Sequence, residues 1–127
     1  MRTSSAVICV GLLGIGIGAA GTHALYAAAN PPVYMVADNT ITDPAKYKSE
    51  YLPLAQAAIK AHGGVYVAAG PGTAIDGEPP RGRVVILKWD SLEQLKKWRY
   101  SPEYVKAREI GEKYAKFRTF AVDGVPQ

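Results

Sequence analysis

Arg83-Val84-Val85-Ile86-Leu87-Lys88-Trp89 (RVVILKW) is the strongest strand signal in the chain. Its run of β-branched and aromatic residues suits a pleated, buried surface. Side chains alternate across a strand, so Val84 and Ile86 leave one face while Val85 and Leu87 leave the other. Both faces are apolar. In a chain of 127 residues, helices can cover one face, and something else must cover the second. A second copy of the chain is the economical cover, which predicts a homodimer.

Upstream, Val33–Asn39 (VYMVADN) and Val65–Ala69 (VYVAA) read as two further strands. Thr42-Asp43-Pro44 opens a helix between them, with a capping side chain followed by a proline whose missing N–H costs nothing in a first turn. The helix runs to about His62, with Tyr47, Tyr51, Leu54, Ala58 and His62 as its inward stripe. Pro53 removes the bond to the Ser49 carbonyl and predicts a kink. Gly63-Gly64 supplies a left-handed cap. Gly70-Pro71-Gly72 ends the second strand, Thr73–Ile75 reads as a short extension, and Asp76-Gly77-Glu78-Pro79-Pro80 as a turn.

Downstream, Asp90-Ser91 with Gln94 fits a capping box for a second helix, which turns Leu92 and Leu95 inward and Lys96 and Lys97 to water. Ser101-Pro102 restarts the helix, and Tyr104, Ala107, Gly111 and Tyr114 form the next apolar stripe. Phe117–Val122 (FRTFAV) is the last strand. The order β-α-β-β-α-β predicts an α+β, ferredoxin-like fold with an antiparallel sheet and helices on one face.

The first 29 residues differ from the rest. Arg2 is their only charge, Ala6–Ala20 is apolar, and Ala27-Ala28-Ala29 precedes Asn30 as an A-x-A cleavage site. These are the parts of a secretory signal peptide. Residues 1–29 are therefore expected to be a signal peptide and 30–127 a single domain, periplasmic or secreted. The alternative is an uncleaved N-terminal membrane anchor, packed through Gly14-x-x-x-Gly18; the apolar run is shorter than the ~20 residues a span needs. Cleavage would remove Cys9, the only cysteine, and lower the formal charge from +4 by one. A Cys-free domain tolerates an oxidising compartment. A small positive charge without a basic run gives no footprint for nucleic acid.

The chemistry-bearing residues are few. Beyond the leader stands one histidine, with no cysteine and no tight carboxylate cluster, too few side chains for a zinc site of N/S ligands. No nucleophile elbow is present, and Gly70-x-Gly72 is not followed by a helix, so it is no phosphate loop. No cofactor is expected. His62, at a helix C-terminus, is either a cap favoured by the helix dipole or a general base at a pocket mouth. Arg83 either pairs with an acid such as Glu78 or anchors an anion through its guanidinium. Trp98 and Tyr104 flank the Ser101 cap, and either pack the helix break or wall a pocket. Tyr47 and Tyr51 are core residues with hydroxyls near the rim. The ligand-binding candidates are Tyr47, His62, Arg83, Trp98, Ser101 and Tyr104.

Asp43-Pro44-x-x-Tyr47, Tyr51, His62-Gly63-Gly64, Asp76-Gly77-Glu78, Arg83-Val84-Val85-Ile86 and Trp98-x-x-Ser101-Pro102-Glu103-Tyr104 occur together in this order. Over about residues 33–125 the chain resembles the domain of unknown function 1330 family of the dimeric α+β barrel superfamily. The most specific piece is Trp98–Tyr104 (WRYSPEY). The resemblance implies two ferredoxin-like sheets closing face to face into a barrel, and no particular activity. Members often carry an Arg before the glycines that follow the second strand, where this chain has Val67-Ala68-Ala69-Gly70. They often end the third strand with an acid-aromatic pair, where this chain has Lys88-Trp89.

Three functions compete. The first is an exported dimer that binds a small apolar or anionic molecule. The second, by superfamily resemblance, is a cofactor-free monooxygenase with His62, Arg83 and Tyr104 supplying a base and donors for a substrate anion. The third is a structural interaction domain. The superfamily's haem degradation is disfavoured, because the order Asn39, His62, Trp89 does not reproduce its pattern. A Tyr- and Trp-lined pocket would favour the first two, and a filled interior the third.

Overall fold

The computed structural model describes residues 31–127; the expected leader and its cleavage site lie outside them. Strand β1, Val33–Ile41, runs antiparallel between two neighbours. The Asp43 carboxylate accepts the Lys46 N–H at 3.1 Å and opens the short helix α1, Pro44–Lys46. A π-helical turn follows over Tyr47–Tyr51 and leads into α2, Leu52–Ala61.

The π-helical turn stands where Pro53 predicts a kink. Pro53 has no N–H to give Ser49, and the wider turn absorbs the mismatch, with the Leu52 N–H donating to the Tyr47 carbonyl. The extra residue in that turn moves the inward face. Tyr47 and Tyr51 are followed inward by Ala55, 2% exposed, and not by Leu54, 46% exposed. Ala58 and Ile59 continue the buried stripe, and the expected stripe through Leu54 is corrected accordingly. Gly63, at φ +84°, turns the chain in the left-handed region, and the Gly64 N–H returns to the Ile59 carbonyl at 2.9 Å.

Strand β2, Val65–Pro71, bulges between Tyr66 and Ala68. Thr73–Ile75 is not a strand, because β2 is a sheet edge and the segment beyond it has no neighbour to pair with. Strand β3 spans Arg83–Trp89 as predicted. Helix α3, Leu92–Arg99, is capped as expected: Ser91 Oγ accepts the Gln94 N–H at 3.1 Å, and Gln94 Oε1 accepts the Asp90 N–H at 2.7 Å. Gln94 Nε2 also donates to the His62 carbonyl at 2.9 Å, tying α3 to the end of α2. Leu95 is buried, whereas Leu92, in the first turn, is exposed and not inward as predicted. Helix α4, Pro102–Gly111, starts at Ser101, and β4, Ala115–Asp123, closes the domain.

The sheet order is β2-β3-β1-β4, antiparallel throughout, which is the ferredoxin-like arrangement. The register sets residues in rows on the helix-covered face. Val33 stands opposite Trp89; Met35 between Leu87 and Ala121; Ala37 between Val85 and Thr119; Asn39 between Arg83 and Phe117. Tyr34, Val36, Val84, Ile86, Phe120 and Val122 point the other way, and no helix among the described residues covers them. Asp38 is on that side yet buried. Its carboxylate accepts the Arg81 and Gly82 N–H groups at 3.0 and 2.7 Å, pinning the chain that enters β3. Glycine is required at 82, where a Cβ would fall on the Asn39 carbonyl.

Candidate functional site

The row Ala37, Val85, Thr119 is short, and Ala55 on α2 and Ala69 on β2 are equally short. Bulkier rows on either side hold the helices away from the sheet. A cavity of about 540 Å³ results, within the range of small-molecule sites. Met35, Leu52, Ile59, Leu87 and Leu95 make much of its wall apolar.

Polar groups enter at set positions. The hydroxyls of Tyr51 and Tyr104 lie 2.7 Å apart, and Asn39 Nδ2 donates to the Tyr47 hydroxyl at 3.3 Å. The Tyr51 ring packs against Tyr47, Phe117 and Tyr104, with centroids at 4.9, 5.4 and 6.5 Å. Gly111 makes room for it, since a Cβ there would sit 2.5 Å from the Tyr51 ring. Trp98 stacks on Tyr104 at 4.1 Å and on Trp89 at 5.1 Å. Asn39 Oδ1 is buried without a partner, and so is Trp98 Nε1. Burial pushes the Tyr47, Tyr51 and Tyr66 phenols above their ordinary range, so these lining hydroxyls stay protonated at neutral pH.

The charges lining the cavity are of one sign. Arg83, Lys96, Arg99 and Arg108 line it, and no Asp or Glu does. Arg108 is held by Glu112 at 3.1 Å and lies 3.9 Å over the Phe117 ring. Arg99 lies over Tyr100 and Tyr104 at 5.5 and 5.7 Å. Among the described residues, Arg83 and Lys96 have no carboxylate within ion-pair distance, so the pairing of Arg83 with Glu78 does not form.

Of the candidates named from sequence, Tyr47, Arg83, Trp98 and Tyr104 line one cavity. Trp98 and Tyr104 are 2% and 3% exposed, so they form its wall, while the exposed Tyr100 stands at the rim. His62 and Ser101 are elsewhere. His62 caps α2, and its Nε2 is 3.6 Å from the Glu103 carboxylate in the first turn of α4. Ser101 Oγ donates to the Trp98 carbonyl at 2.7 Å and accepts the Tyr104 N–H at 3.3 Å, so capping occupies it. The Glu103 carboxyl is held below its ordinary range by its own backbone N–H first, and also by His62. No cluster of three metal-ligating side chains occurs among the described residues.

Asn39, Tyr66, Arg108 and the short row escape a motif search. Asn39 carries a signal all the same. It continues the inward parity Val33, Met35, Ala37 of β1, and a polar residue on a buried parity marks a place where something must bond to it.

Among solved structures, a protein of unknown function from Rhodopseudomonas palustris aligns with TM-score 0.62 and 15% identity, over 77% of this chain and 85% of that one. SnoaB, a cofactor-independent oxygenase from Streptomyces nogalater, aligns with TM-score 0.58 and 14% identity, over 76% of this chain and 96% of that one. At such identities the likeness is one of fold. Comparison with curated proteins returns no match. The family profile described as domain of unknown function (DUF1330) matches residues 32–125, nearly the whole described segment, and the chain belongs to that family.

Proposed function

We propose that this domain binds a small apolar or anionic molecule in the cavity between sheet and helices, as a two-fold dimer outside the cytoplasm. The cavity carries the proposal: its wall is apolar and aromatic, and every charge on it is positive. An apolar body gains by leaving water, and an anion gains from Arg83 and Lys96, which no carboxylate neutralises among the described residues. The uncovered sheet face supports the dimer, because Phe120 and Val122 are about half exposed beside Val36 and Ile86. Residues 1–29, with their positive, apolar and small-residue parts in order, support export, and an uncleaved anchor is the alternative fate of that segment.

The monooxygenase alternative needs a base beside the substrate. His62 is not in the cavity lining, and burial keeps the Tyr47 and Tyr51 phenols protonated. Binding without chemistry is the better supported reading. A purely structural domain would fill its interior, which this one leaves open.

The test uses anilinonaphthalene sulfonate, an apolar anion that fluoresces when buried. One probe per chain should bind the full-length protein, and Ala37→Leu, which fills the cavity floor, should abolish it. Equal binding by the filled variant would refute the site. Light scattering at micromolar concentration tests the dimer, and the intact mass of exported protein tests leader cleavage.

A further inference from the structure

Resting on that binding reading, we infer that the cavity selects a planar aromatic acid bearing a hydrogen-bond donor beside its carboxylate, with Arg83 meeting the carboxylate and Asn39 Oδ1 accepting from the donor.

The register carries this. Asn39 and Arg83 are direct cross-strand partners on the helix-covered face. Side chains so placed leave the sheet about 5 Å apart, so two groups of one small ligand can meet both. Arg83 presents a guanidinium with no carboxylate partner among the described residues, and its fork of donors matches a carboxylate bidentately. Asn39 is buried, and its amide nitrogen is engaged by Tyr47 while Oδ1 has no partner. A buried acceptor without a donor is costly, and in a cavity wall it calls for a donor from the occupant.

The two polar contacts therefore differ in kind. One asks for negative charge and the other for an N–H or O–H, on adjacent atoms. The rest of the site asks for a flat body. Tyr47, Tyr51, Tyr104 and Trp98 form a continuous series of tilted and edge-on rings with successive centroids 4.1 to 6.5 Å apart. Rings prefer offset-stacked or edge-on partners, which a planar aromatic supplies. A bicyclic acid fits easily within about 540 Å³.

The probe series is an ortho-aminonaphthoate, the naphthoate without the amine, and naphthalene, titrated into the full chain and followed by tryptophan fluorescence and calorimetry. The amine keeps one N–H free for Asn39 even when the other bonds its own carboxylate. The amino acid should bind about 2- to 13-fold more tightly than the plain naphthoate, one neutral hydrogen bond. Arg83→Gln should weaken both acids about 10- to 150-fold, and leave naphthalene unchanged. Asn39→Leu should erase the advantage of the amine, and Lys113→Gln, outside the cavity, should change nothing. Thermal melts show that each variant folds, and Arg83→Gln, at an exposed position, keeps the test open if Asn39→Leu does not. Naphthalene binding as tightly as the acids would overturn the inference and leave the binding site standing. So would equal affinities of the two acids, or anilinonaphthalene sulfonate binding with no response to the naphthoates. Failure of every probe, the sulfonate included, would overturn the binding reading itself.

Discussion

The two ends of the helix-covered sheet face are built from the same strands and meet the helices in opposite ways. At the Trp89 end the space is full. Trp89 is completely buried, Trp98 lies against it, and Gly64 is glycine because a Cβ there would come within 2.7 Å of the Trp89 ring. At the Asn39 end the strands offer Ala37, Val85 and Thr119, which do not reach the helices, and a cavity remains. Trp98 belongs to both, stacking on Trp89 and on Tyr104. The contrast shows how a small domain keeps an empty space: bulky rings on either side of the short row, Trp89 and Trp98 on one and Phe117 with Tyr51 on the other, hold the helices off, and Ala37 and its neighbours fail to follow.

Removing the shared ring should break this arrangement most severely. Trp98→Ala deletes the contact between the filled end and the cavity wall, and should lower unfolding free energy by about 3–5 kcal/mol in denaturant titration. Ligand binding should go with it. Gly111→Ala comes next. Its Cβ meets the Tyr51 ring at 2.5 Å, and backbone or ring must shift, at about 1–3 kcal/mol by the same measurement. That shift also displaces the Tyr51 hydroxyl from Tyr104, so the near-ultraviolet circular dichroism of the ring cluster should change.

Ala37→Leu acts at the hollow end and should have the opposite sign. The added atoms enter space that is already open, so stability should rise by about 0.5–2 kcal/mol while the ligand is excluded. A loss of stability would show that the floor is tightly packed after all, and the contrast between the ends would disappear. Tyr104→Phe is subtler. It removes the partner of the Tyr51 hydroxyl, which cavity water can replace, so the cost should be about 0.5–1.5 kcal/mol, with a similar loss for any ligand that uses the phenol.

The fold was legible in the sequence because periodicity reports burial directly. Strand Arg83–Trp89 and the Ser91 and Ser101 caps stand where alternation and capping chemistry put them. The helix before β2 was legible only in part. Pro53 announces a disturbance, but whether the backbone kinks or widens into a π-helical turn depends on the sheet below, and that choice decides whether Leu54 or Ala55 faces inward. The site divides similarly. Arg83, Trp98, Tyr104 and Tyr47 stand out by residue type and share one cavity, whereas His62, the only histidine among the described residues, is drawn away by the cap of α2. The cavity itself comes from what Ala37, Ala55 and Ala69 lack, and small residues on three separate elements carry no local pattern.

The smallest effect belongs to the rim of the filled end, where His62 and Glu103 face each other across the end of α2 and the start of α4. The Glu103 carboxyl is held below its ordinary range, by its own backbone N–H first and by His62 after it. A carboxyl whose folded pKa is depressed adds stability above its unfolded pKa, and loses that contribution as pH falls through the folded value. Glu103→Gln should therefore lower the melting temperature slightly at pH 7. The gap to wild type should close on acidification below about pH 4, the ordinary carboxylate range. Because the carboxylate is exposed to solvent, the gap should also shrink with added salt. Cavity occupancy should not change, since neither His62 nor Glu103 lines it. A change in ligand affinity in Glu103→Gln would mean that the filled end is coupled to the hollow one through the start of α4, and that Trp98 and Tyr104 transmit what happens at the rim.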